Sequence, residues 1–111
     1  MPLDPKKLLA DMQEAANAIT SFTTGKSLAD LAGDKLLRAG IYYEFVVIGE
    51  AISQLRQLDA AAADKISEAS RIIGFRNQII HGYARIDDEI TWRIITDKLP
   101  ILRQELQLLL S

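Results

Sequence analysis

Residues 71–85 hold the side chains of greatest chemical capacity in this chain. They include the only histidine, His81, and three arginines, Arg71, Arg76 and Arg85. No acidic residue accompanies them, although the chain carries a formal net charge of −2. The apolar residues recur at helical spacing, which predicts the last turns of a helix ending near Gly82. On a wheel at about 100° per residue with Ile72 at zero, Phe75 and Ile79 fall within about 60° of it and Ile73 and Ile80 at about 80–100°. Arg76 falls at about 40°, inside the apolar arc. A guanidinium there is costly unless it is paired or opens into a cleft. Asn77 and His81 form an i, i+4 pair at the edge of the arc, so their side chains can meet.

An arginine with a histidine suits a phosphodiester. Arginine holds a phosphate bidentately, and a neutral imidazole accepts a proton from a 2′-hydroxyl. RNA carries that nucleophile itself, so the reaction needs no metal. One histidine does not easily serve both attack and leaving group, whereas a two-fold dimer with paired motifs supplies two. Simpler readings stand beside this one. His81 can complement the negative end of its helix. Arg76 can snorkel, or pair with Glu44 or Glu50 of a preceding helix. Tyr83 can be an amphipathic residue at the core's edge. A lone histidine without cysteine or spaced carboxylates is a poor metal site, so neither metal nor cofactor is expected.

The elements that must position these residues read as helices. Asp4-Pro5 starts one, with Leu8, Met12, Ala15, Ile19 and Phe22 as its stripe and Gly25 as the left-handed residue that ends it. Ser27 and Asp30 resemble a capping box opening a short turn. Asp34 caps a long helix to about Leu58, striped by Leu37, Ile41, Phe45, Ile48, Ile52 and Leu55. A second apolar side at Tyr42, Val46, Val47 and Ala51 predicts a central position, a dimer interface, or both. Gly49 would admit a close neighbouring backbone. Residues 59–64 are a weak boundary in which Asp59 or Asp64 could cap the next helix. Gly74 within that helix suggests contact with a neighbour. Asp87-Asp88-Glu89 favours a helix start, with Ile90, Ile94, Ile95 and Leu99 inward and Trp92 beside them. Pro100 should break or kink the chain before a last helix through Ile101, Leu102, Leu106, Leu109 and Leu110. No stretch alternates long enough for a strand. The fold class is all-α, an up-and-down bundle of four or five helices, and residues 1–111 form one domain.

Composition sets bounds. A hydrophobic fraction of 49% with 25% charged residues suits a soluble globular domain. The absence of cysteine excludes a disulfide framework and fits a reducing, cytoplasmic setting. No secretory signal and no run of membrane-spanning length is visible, so no membrane partner is expected. The net charge argues against a broad DNA-binding surface but leaves room for a local RNA patch.

Arg76, four residues, His81, one residue and Tyr83 match the signature of the HEPN superfamily, and the chain most resembles the HepT toxins of toxin–antitoxin pairs. The surroundings agree: Ile73-Gly74-Phe75-Arg76-Asn77, His81-Gly82-Tyr83, Trp92, Leu99-Pro100, and Ile48-Gly49-Glu50-Ala51 in the long helix. Residues 60–67 depart from the pattern, being Ala-rich where relatives often carry a Pro-Trp element. The resemblance implies a HEPN-like bundle that dimerises and a metal-independent ribonuclease cleft between protomers. It implies Arg76 and His81 as catalytic residues and Asn77 as a supporting one. It also implies a nucleotidyltransferase antitoxin, which in some relatives adds AMP to the motif tyrosine, here Tyr83, and in others inhibits by binding alone. Two rivals remain at this point: a non-catalytic helical module that binds a nucleotide or partners a nucleotidyltransferase, and a purely structural dimer.

Overall fold

The computed structural model describes residues 4–82 and 86–111. Tyr83 and Arg85 therefore lie outside the described residues. The elements are α1 (Pro5–Thr23), α2 (Leu28–Gly33), α3 (Lys35–Leu58), α4 (Ala60–Ala63), α5 (Ala69–His81) and α6 (Asp88–Arg93), which runs through a π-helical segment (Ile94–Lys98) into α7 (Leu99–Leu110). Among the described residues there is no strand, and the fold is all-α as the periodicity predicts.

Short polar side chains set the helix starts. Asp4, Asp34, Asp59 and Asp87 each accept a first-turn backbone N–H, and Ser27 with Asp30 closes a full capping box. Gly25 and Gly82 take positive φ after α1 and α5, where a Cβ would be strained. The boundary at 59–64 resolves differently from either expectation. Asp59 caps only the single turn α4, and Asp64 closes that turn. α5 begins at Ala69, and the side chain of its N-cap residue Glu68 makes no cap hydrogen bond. Ile66 lies between the two helices and is buried all the same.

α3 is the centre of the bundle, packed against α1 on one side and α5 on another, while α7 closes over α1. Its stripe of Ile41, Phe45, Ile48, Ile52 and Leu55 is buried with Met12, Ile19, Leu102 and Leu106. The second apolar side divides. Tyr42 meets the Phe75 ring edge-on at 6.4 Å and Ala51 is in the core, so these two are covered within one chain. Another line stays uncovered, with Leu36 84% exposed, Tyr43 66% exposed and Leu58 half exposed. Phe22, Ile80, Ile90 and Ile101, expected inward, are also substantially exposed.

Pro100 does not break the chain. The helix widens just before it, and the Leu99 N–H donates to the Ile94 carbonyl five residues back. A proline ring clashes with the carbonyl four residues earlier, and a π turn displaces that carbonyl. The helix thus continues without a stop.

Candidate functional site

The site is built on the contact between α3 and α5. Phe45 of α3 and Phe75 of α5 meet edge-to-face at 5.1 Å and 86°. This pairing fixes the register of the two helices. One turn beyond Phe45 lies Gly49, and one residue beyond Phe75 lies Arg76. A Cβ built on Gly49 would stand 2.6 Å from the Arg76 Cβ and 2.8 Å from its Cγ. Gly49 therefore admits the stem of Arg76 and lets α5 approach α3 closely, as its position suggests.

The guanidinium then runs along α3. Its Nη1 donates to Glu50 at 3.3 Å and its Nη2 donates to the Ser53 hydroxyl at 3.1 Å. Nε is buried and has no protein acceptor among the described residues. An arginine has five N–H donors, so two are used and three remain. The Arg76 side chain is 17% exposed and that of Glu50 52% exposed. Of the two carboxylates expected as partners, Glu50 is the one used, and a half-solvated pair of this kind contributes little stability. Its consequence is orientation: the cation is held along α3 between Glu50 and Ser53. Glu44 instead lines a groove with Asp11, Glu14 and Tyr43. Burial, and then the charge of Glu14, raises its pKa.

His81 is the last residue of α5, exposed, and followed by the left-handed Gly82 whose N–H donates to the Gln78 carbonyl. Residues five apart on a helix stand about 140° around the axis and about 7.5 Å along it from one another. Within one chain, Arg76 thus leans on α3 while His81 faces outward, with exposed Asn77 one turn before it. Arg76 and His81 share a helix but not a single wall of it. Sequence reasoning missed Ser53, which sits one turn after Gly49 and carries no signal of its own. No group of three or more metal-ligating side chains occurs among the described residues.

Comparison with known proteins gives a consistent result. The family model for HepT-like ribonucleases matches residues 12–109. The chain is 27% identical over 107 residues to a Methanocaldococcus jannaschii protein named Putative RNase MJ1380, covering 95% of each. A second protein of that organism, named Putative RNase MJ0127, is 28% identical over 102 residues, covering 87% of this chain and 79% of its own length. No solved structure matches the chain.

Proposed function

Because the chain belongs to the HepT-like ribonuclease family, we propose that it cleaves RNA through Arg76 and His81. The observation that carries this reading is the placement of Arg76 over Gly49, oriented by Glu50 and Ser53, on the same short helix as the only histidine. The free N–H on each of Nη1 and Nη2 holds the non-bridging oxygens of the scissile phosphate, the third unused donor, Nε–H, being buried. Neutral His81 takes the proton of the 2′-hydroxyl. The O2′–P bond forms as the P–O5′ bond breaks, leaving a 2′,3′-cyclic phosphate and a 5′-hydroxyl. Asn77, exposed one turn before His81, contacts the same substrate.

The second proton transfer requires another imidazole, and a two-fold dimer provides it. The uncovered line Leu36, Tyr43, Leu58 on α3 supports such a dimer, since it flanks the Glu50–Arg76 pair. In this reading the protein is the toxin of a toxin–antitoxin pair. A nucleotidyltransferase antitoxin restrains it, by binding or by joining AMP from ATP to the Tyr83 hydroxyl with release of pyrophosphate. The added phosphate would neutralise the positive site.

The rival is a non-catalytic module, and one observation favours it: Arg76 already has a carboxylate partner in Glu50. The test is a purified His81→Ala protein incubated with end-labelled RNA. Loss of a general base lowers cleavage by about 10²–10⁴-fold, with helical content and oligomeric state unchanged. A variant that cleaves as well as the parent removes His81 from the reaction. A parent that cleaves no RNA leaves the rival standing.

A further inference from the structure

One cavity stands apart from Arg76. It has a volume of 220 Å³ and is lined by Arg71 of α5 and by Ile90, Arg93, Ile94 and Lys98 of α6 and the π segment. Three cations surround an isoleucine floor, and no carboxylate lines it. Glu68 stands at its edge. One carboxylate oxygen accepts from Arg71 Nε at 3.1 Å and the other is 3.3 Å from Lys98 Nζ. Two cations from different elements thus already converge on a single anionic group. Arg93 has no ion pair among the described residues, so the cluster keeps a net positive charge. The π segment supplies Ile94 and Lys98 as its first and last residues, and such turns recur at functional sites.

A second observation links this cavity to His81. On α5, Arg71, Gly74, Gln78 and His81 fall within about 80° of one another around the axis. All four are exposed, and the space over Gly74 is open. The stripe carries no acidic residue. It runs from the three cations to the imidazole along about 15 Å of helix, which matches roughly four nucleotides at 3.4 Å per stacked nucleotide of one strand.

We propose that the Arg71–Arg93–Lys98 cavity binds a backbone phosphate of single-stranded RNA several nucleotides from the bond that is cut, and that the exposed stripe of α5 carries the strand between the two. The inference rests on the ribonuclease reading for its cleavage measurements but not for its binding measurements. Its ligand is a stacked single strand and not a mononucleotide. The cavity's alignment with His81 along one face of α5 assigns it to the strand that is cut and not to an acidic protein surface.

The test uses the whole protein with Arg93→Gln and Lys98→Gln, singly and together. Binding of a fluorescent 12-nucleotide single-stranded RNA is measured across a salt series, and cleavage of the same RNA is compared with that of a dinucleotide. The expected result is weaker binding of the 12-mer with a shallower salt dependence, the slope falling by about 0.7 for each phosphate of the single strand that is no longer neutralised. KM for the 12-mer should rise, while dinucleotide cleavage is unchanged. Circular dichroism verifies the fold. Unchanged affinity and slope in the folded double variant overturn the proposal. So does loss of binding to poly-L-glutamate with RNA binding intact, which would give the cavity to an acidic protein. If the parent cleaves nothing, the ribonuclease reading fails, and the salt series still decides the cavity.

Discussion

At the scale of single residues, the site depends on the absence of one methyl group. Gly49 faces the first carbons of the Arg76 side chain at distances that real Cβ atoms do not reach. Those atoms are tied to the α5 backbone and cannot swing aside. A Gly49→Ala protein must therefore push α5 away from α3. We expect destabilisation of about 1–3 kcal/mol, as for other overpacked interiors, seen as a lower thermal midpoint. Cleavage should fall further than this loss of folded protein explains, because Arg76 loses its seat. A midpoint within error of the parent would show that the helices are not held this close. Glu44 offers a pH-dependent counterpart. Its pKa is raised by burial and by Glu14, so the folded chain holds that proton more tightly than the unfolded chain. Stability then falls as pH rises from the unfolded to the folded pKa, and it recovers as the group is protonated. Glu44→Gln should flatten this dependence and leave the variant slightly more stable at neutral pH. Denaturant unfolding across that acidic range checks it, and parallel curves for the two proteins would count against the assignment.

At the scale of elements, the helix starts are legible because aspartate and serine caps declare themselves in sequence. The pairing of Arg76 with an acid of the long helix is legible too, since a cation on an apolar stripe needs one. What periodicity does not give is the cover over each stripe. Ile80 and Ile90 keep helical phase with buried neighbours, yet nothing among the described residues packs over them fully. The π segment is unreadable for a different reason. A slip from four-residue to five-residue hydrogen bonding leaves no pattern in residue types, and Pro100 alone reads equally well as a break. Nor does a sequence place Arg71 beside Arg93 and Lys98, which only the folded chain brings together around one cavity. A glycine inside a helix suggests a contact point, but open space surrounds Gly74. Its substitution by alanine should therefore stabilise the exposed middle of α5 by about 0.5–1 kcal/mol, raising the thermal midpoint by a few degrees. A drop instead would reveal that another molecule occupies that space in solution.

At the scale of the whole molecule, the question is what covers α3. Leu36, Tyr43 and Leu58 fall within about 60° of one another around that helix. They form a line along its length that α1 and α5 leave bare. Single exposed apolar residues need no explanation, but three aligned on the central helix suit the interface of the proposed dimer. Glu50, the partner of Arg76, lies on the same side within about 40° of that line. A second copy docked there by a two-fold axis would bring two Arg76 groups toward one groove, and the outward His81 of each α5 could then serve a shared cleft. This resolves the main tension within a single chain, where Arg76 and His81 diverge around their helix. Tyr43→Asp places a charge at the middle of the line and touches none of the proposed catalytic groups. On the proposed dimer, we expect the parent to sediment as a dimer at micromolar concentration and this variant as a monomer. Its helical content should be unchanged, and cleavage should fall by about the 10²-fold or more expected when an acid–base partner is lost. A folded monomer that cleaves like the parent would mean that one chain supplies every group the reaction needs.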